Sequence, residues 1–274
     1  MKKIIIGSLQ FQLFVLIVFG QTKALPYGNN PAAGKYFEVR GIKMYTEVYG
    51  EGKPLLLIHG NGGSIDNFAA TIPYFSKRFK VIAADSRSQG KTKDLHDSLS
   101  FEMMADDFAA LLDLMHIDSA YVIGWSDGGI NALLLAMRHP GKVIRLVSSG
   151  ANMTPDSSAI RPANWIEDQK TYESGKNQTF TTENERNNWK LSRLDRLQPN
   201  VPLTELKKIQ CPSLIICGDH DIITVEHTAA IYAHIPKAYL WVIPNSGHST
   251  LTEHRDEFNQ FVFRFFKEPF INFN

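Results

Sequence analysis

Cysteine is scarce in this 274-residue chain: there are two, Cys211 and Cys217, and both fall within one apolar segment, CPSLIIC. Read as an extended strand, that segment separates their Cα atoms by roughly 20 Å, against a disulfide limit of about 7 Å. A bridge between them is excluded, both are expected to be buried thiols, and stability has to come from the core. Charge of one sign is lacking too. Lysine and arginine number 29 against 28 acidic residues, a formal net charge of +1, and no long run of like charges interrupts the chain. Without a basic field to meet a phosphate backbone, nucleic acid is not an expected partner. Neither H-E-x-x-H nor any other ligand-spaced cluster of the nine histidines is present, so no metal is expected. Internal repeats and low-complexity tracts are absent as well.

What is present is enough apolar material, 43% of residues, to bury a full core in one α/β domain with a modest insertion. The N-terminus stands apart. Lys2 and Lys3 precede IIIGSLQFQLFVLIVFG, which reads as a signal peptide over residues 1–24, with cleavage after Gly20 or Ala24. Export to the periplasm or medium is the expectation, with no stable membrane insertion after cleavage; a retained membrane anchor is the alternative, since the apolar stretch approaches spanning length.

Beyond it, residues 25–274 repeat one theme: a short apolar strand, a turn, a helix. Tyr36 to Tyr49 alternates around a turn at Gly41. LLLIHG is followed by a helical stretch from about Ile65 to Phe79, then KVIAAD. Ser100 caps an amphipathic helix whose apolar face carries Phe101, Met104, Ala105, Phe108, Leu111, Leu112 and Met115. YVIGW, VIRLVSSG, SLIICG and YLWVIP are further strands, and a terminal helix runs from about Thr252 to Phe266. Near-continuous apolar strands between amphipathic helices imply a mostly parallel sheet covered on both faces, with ligands at the carboxyl ends of its strands. The polar interval from Ala151 to about Leu206 is too long for a connection and reads as a small helical cap.

Two nucleotide motifs fail. Gly90-Lys91-Thr92 would end a phosphate-binding loop, but the required upstream glycine is Asp85, whose carboxylate would repel phosphate. Gly60-Asn61-Gly62-Gly63-Ser64-Ile65 begins like a dinucleotide fingerprint and places Ile65 where the third glycine must be. No cofactor is expected.

Gly124-Trp125-Ser126-Asp127-Gly128 fits G-x-S-x-G, where small residues admit a serine on a strained turn from strand to helix. Alone the pattern is weak; its position between a strand and a helix gives it weight. Asp219 and Asp221 follow the SLIIC strand, and His248 follows YLWVIP. A neutral serine hydroxyl is a poor nucleophile, so an imidazole must take its proton, and a carboxylate must hold that imidazole. Spacing alone leaves Asp219 and Asp221 open.

With His59-Gly60-Asn61-Gly62-Gly63, Asp85-Ser86-Arg87-Ser88-Gln89-Gly90, Gly218-Asp219-His220-Asp221 and Ser246-Gly247-His248, the chain from about Tyr36 onward resembles the α/β-hydrolase fold family, nearest to its biphenyl-hydrolase-like GWSDGG esterases. The resemblance implies an eight-stranded, mostly parallel sheet. It implies Ser126 as nucleophile, His248 as base and, through the family's G-x-x-D pattern, Asp221 as acid. Backbone N–H groups of Asn61 and Asp127 would form the oxyanion hole, with Gly62 the fallback for Asn61. Ser88 departs from the family's glycine, which leaves the shape of that loop open. His59 is expected to fix the oxyanion loop.

The expected activity is hydrolysis of a small ester or related acyl compound through an acyl-enzyme. A ligand-binding or sensing module with little turnover is one alternative; an acyltransferase, lactonase or haloperoxidase-type perhydrolase is another. The expected partner is a small acyl substrate. Trp165 and Trp189 are candidates for lining its pocket, or else form the cap's own core. Asp127 poses a sharper question. Negative charge developing near a carboxylate costs roughly 2 kcal/mol at about 8 Å and an effective dielectric near 20. Its side chain therefore turns away from the oxyanion, or faces the pocket to pair with a cationic substrate group, as the resemblance to aminoacyl esterases implies.

Overall fold

A computed structural model describes residues 26–271. The signal segment and both of its cleavage positions lie outside the described residues. Eight strands form one sheet: β1 (Gly34–Val39), β2 (Ile42–Tyr49), β3 (Lys53–Ile58), β4 (Phe79–Ala84), β5 (Ala120–Trp125), β6 (Val143–Ser149), β7 (Ser213–Gly218) and β8 (Ala238–Ile243). Their order is β1-β2-β4-β3-β5-β6-β7-β8. β2 runs antiparallel to its neighbours β1 and β4, and every pairing from β4 through β8 is parallel. The chain passes from β3 to β4 on one side and returns to β5 on the other. The crevice at this reversal opens at the carboxyl ends of β3 and β5, where sheets of this kind bind ligands.

Period-two alternation builds a core on each face. In β3, Leu56 and Ile58 pack with Phe101, Met104 and Phe108 of α2 (Phe101–Leu114) and Leu133 of α3 (Asp127–Arg138). Leu55 and Leu57 face the other way, against Ile72 and Phe75 of α1 (Ile72–Phe75) and Phe258, Val262 and Phe266 of α8 (Arg255–Lys267). As expected, Ser100 caps α2, its hydroxyl accepting from the Met103 N–H at 3.1 Å. The helix expected over Ile65 to Phe79 is instead broken. A 3-10 turn covers Ile65–Phe68, α1 is four residues long, and Phe79 already belongs to β4. Pro73 explains the break: inside a continuous helix its ring would strike the carbonyl of Ala69, whereas near the start of α1 it is tolerated. The terminal helix is likewise divided at His254 into α7 (Thr250–Glu253) and α8.

Between β6 and β7 lie α4 (Pro162–Gly175), α5 (Glu183–Leu197) and a 3-10 turn at Leu203–Lys208, with α6 (Val225–Ala233) following β7. Thr182 and Glu185 close a capping box at the start of α5. This helix is pinned to the loop between β4 and α2. Lys190 Nζ donates to the carbonyls of Asp94 and His96, Asn187 to that of Ser88, and the following Gln198 to that of Leu99. Cys211 and Cys217 are both buried and free, and burial pushes both thiols up to about 11. Among the described residues no helix is long and apolar enough to cross a membrane.

Candidate active site

Ser126 sits between the end of β5 and the first residue of α3 with φ 57° and ψ −123°, a strained conformation for a residue with a side chain. The flanking glycines make this turn possible. A Cβ on Gly124 would come within 2.0 Å of the Gly128 carbonyl oxygen, and one on Gly128 within 1.9 Å of that of Ile58. The turn lifts the serine out of the sheet toward the loops that follow β7 and β8.

His248 Nε2 lies 2.8 Å from Ser126 Oγ, and its Nδ1 lies 2.6 Å from Asp221 Oδ1. Asp221 is fully buried and directly follows β7; its Oδ1 also accepts from the Ile223 N–H at 3.0 Å. A carboxylate against Nδ1 keeps the proton there, which leaves the Nε2 lone pair to accept the serine hydroxyl. Of the two candidate acids the structure brings Asp221 to the imidazole. Asp219 instead accepts from the Ser246 N–H at 3.1 Å and is partly exposed, while His220 is largely exposed. Glu253 of α7 steadies the loop that carries His248, accepting from the Gly247 N–H at 2.6 Å and from the Ser246 hydroxyl at 3.0 Å.

The loop after β3 faces the same point. Among the described residues, the backbone N–H groups of Asn61 and Asp127 donate to no protein acceptor. His59 holds the loop from beneath: its Nε2 accepts from the Ser86 N–H at 3.0 Å, so Nδ1 carries the proton and donates to the Gly60 carbonyl at 2.8 Å. Burial lowers its pKa to about 4, and the ring stays neutral. Asp85, which repelled the phosphate reading, joins this loop to the next. Its two oxygens accept from Ile65 N–H at 2.9 Å and Lys91 N–H at 2.7 Å, and burial pushes it up to about 6. Ser88 keeps a left-handed φ of 66° where glycine would be unstrained.

The Asp127 side chain turns toward the cap. Asn61 Nδ2 donates to its Oδ2 at 3.0 Å, and the carboxylate of Asp195 in α5 lies close by. Burial first and the neighbouring carboxylate second raise Asp127 well above the ordinary range; burial and the charge of Asp168 raise Asp195 to about 6. Two carboxyls so close disfavour each other's ionisation. Asp195 carries no motif and lies 68 positions from Asp127, so nothing in the sequence paired them. A cleft of about 300 Å³ opens here between Asn61, Gly62, α4 and α5, with Asp168 and Asp195 in its wall and no lysine or arginine. A larger cavity, about 530 Å³, lies between the β4–α2 loop and α5; none of Ser126, Asp221 and His248 borders either space, and the smaller one alone reaches the Asn61 loop.

Neither tryptophan borders this cleft, and of the two alternatives left open for them the packing is that of core residues. Trp189 is stacked between Tyr172 and Phe180, at 5.4 and 5.5 Å between ring centroids, in the cap's own core. Trp165 packs on Ala159, Ile160 and Ile223 under the loop that carries Asp221. The stack joins Tyr172 of α4 to Trp189 of α5. Among the described residues no group of three or more His, Cys, Asp or Glu side chains is placed to hold a metal ion.

Comparison with known proteins agrees with this geometry. The profile of the alpha/beta hydrolase fold family matches residues 53–188. The serine hydrolase BPHL of Mus musculus is 28% identical over 242 residues, 82% of this chain and 83% of that protein. The 2-hydroxymuconate semialdehyde hydrolase of Pseudomonas sp. (strain CF600) is 34% identical over 127 residues, 45% of each chain. Among solved structures, a meta-cleavage product hydrolase from Pseudomonas fluorescens superposes with TM-score 0.68 at 25% identity, over 86% of this chain and 98% of that one. An enol-lactonase from Burkholderia xenovorans, at 20% identity, shares the fold with TM-score 0.70 over 85% of this chain and 100% of that one.

Proposed function

We propose, for a chain that belongs to the α/β-hydrolase fold family and is a hydrolase, that it cleaves a small ester or related acyl compound through an acyl-enzyme on Ser126. One observation carries this reading: the hydrogen-bonded line from Ser126 Oγ to His248 Nε2 at 2.8 Å and from Nδ1 to buried Asp221 at 2.6 Å, at a strained elbow.

Ser126 Oγ attacks the acyl carbon as its proton passes to His248 Nε2, and the carbonyl π pair moves onto oxygen. The N–H groups of Asn61 and Asp127 receive that oxyanion; losing one such donor costs a site of this kind roughly 3–4 kcal/mol. Asp221 stabilises the imidazolium. Collapse expels the leaving group, which takes the proton from Nε2. A water then attacks the acyl-enzyme, giving its proton to His248, and the acid departs as Ser126 recovers its proton.

The carboxyl pair refines the substrate class. A cleft walled by Asp168 and Asp195, next to Asp127 and free of lysine and arginine, favours an acyl group bearing an ammonium. Export after removal of residues 1–24 is proposed from the sequence alone; the N-terminal residue of the protein recovered from its native host decides it.

A fluorophosphonate probe and small p-nitrophenyl esters test the central reading. Wild type is expected to label at Ser126 and to turn over the esters, and Ser126→Ala to do neither. A folded Ser126→Ala protein that hydrolyses as fast as wild type rules it out, and binding without labelling would favour a sensing module.

A further inference from the structure

The residue at the root of the cap, Arg161, belongs to none of the motifs, yet it grips the loop that carries Asp221. Its Nε donates to the Asp221 carbonyl and a terminal guanidinium nitrogen to the Asp219 carbonyl at 2.9 Å. Backbone contacts surround this fork. Arg161 N–H donates to the Ile222 carbonyl at 2.8 Å, Thr224 N–H to the Ala159 carbonyl at 2.8 Å, and Ile160 and Ile223 form an antiparallel bridge. Ala159, Ile160 and Ile223 close a small apolar cluster of their own beneath Trp165. The link runs on into the site, because the Ile223 N–H shares Asp221 Oδ1 with His248.

We propose that Arg161 is a positioning residue: by holding the carbonyls of Asp219 and Asp221 from the N-cap of α4, it sets the Asp221 carboxylate against His248 and makes that contact depend on the cap being seated. The proposal rests on the reading of Ser126, His248 and Asp221 as a triad. A planar guanidinium suits the task, since its fixed donors bridge two carbonyls at once while an ammonium offers one point of charge. Displacing the acid by a fraction of an ångström loosens the imidazole, and misplacement of about 1 Å can cost roughly a hundredfold in rate.

Arg161→Met and Arg161→Lys test it, with folding checked by circular dichroism. In folded Arg161→Met the rate of fluorophosphonate labelling at Ser126 is expected to fall roughly tenfold to a hundredfold. kcat should fall with it while KM stays within about twofold, and the downfield proton resonance of His248 Nδ1–H should weaken or move upfield. Arg161→Lys should recover part of each. A role confined to stability would lower the melting temperature and leave labelling and the resonance at their wild-type values, and that result overturns the proposal. Should Arg161→Met fail to fold, Arg161→Lys decides alone, and a wild-type labelling rate there is equally fatal. Wild-type protein that does not label at Ser126 would instead remove the triad reading, and this proposal with it.

Discussion

The indole N–H of Trp125 donates to the backbone carbonyl of His248 at 2.8 Å, and the two rings lie 5.7 Å apart. The residue before the proposed nucleophile thus holds the proposed base. Trp125→Phe keeps the ring and removes the donor. It is expected to lower kcat a few-fold to about tenfold, matching a lost hydrogen bond of about 1 kcal/mol, with little change in KM. Steady-state kinetics on a p-nitrophenyl ester measures this, and an unchanged kcat would mean that the bond does not orient the base.

Asp221→Asn keeps the size of the acid and offers an amide where His248 Nδ1–H needs an acceptor. The amide favours the wrong tautomer, so kcat should fall by about three to four orders of magnitude while the fold persists. A loss of tenfold or less, with circular dichroism unchanged, would shift the acid's role to another residue, and Asp219 would be tested next.

His59 gives the stability a specific pH dependence. Its folded pKa is lowered to about 4 from 6.5 by burial, so the unfolded chain takes up a proton that the folded one refuses. The contribution is fully present above pH 6.5 and is lost as pH falls from there toward 4, about 3 kcal/mol in all. Asp85 and Asp195, both raised to about 6, act oppositely: each stabilises the fold progressively as pH falls from about 6 to 4. The comparison is therefore made with His59→Gln, which can donate and accept without titrating. The difference in urea unfolding free energy between the two proteins should shift by about 3 kcal/mol against wild type across that window. A constant difference would show that His59 does not stay neutral.

The paired carboxyls predict selectivity. Asp127→Asn and Asp195→Asn are each expected to lower kcat/KM for aminoacyl esters about tenfold relative to neutral esters of the same size, equivalent to about 1.4 kcal/mol. Equal losses on both substrates would leave the pair a structural role, with Asp127 serving through its backbone alone.

Much of the scaffold was legible because its signals are local. Alternating Leu55 to Ile58, the Ser100 cap and the glycines around Ser126 each dictate geometry within a few residues. Reactive side chains at strand ends made Ser126 and His248 visible before the sheet was assembled. The direction of the Asp127 carboxylate was not legible, since it is set by Asn61 and Asp195, far away in the chain and brought close only by the cap. Asp85 was seen as an obstacle to phosphate, while its role as a clamp between two loops needs the register of β3 beside β4. Trp189 could not be assigned, because an aromatic ring in a short helix serves pocket or core equally until its neighbours are known. The break at Pro73 was available in the sequence and was outweighed by an apolar pattern running through it.

Among the residues of α4 only Gly175 is buried, whereas Asp168 and Thr171 of the same helix border the cleft. Substitutions at such exposed positions usually change stability by no more than about 0.5 kcal/mol. Selection can therefore revise what this protein accepts one residue at a time along α4, while the pinned helix α5 and the sheet keep the reacting atoms in register.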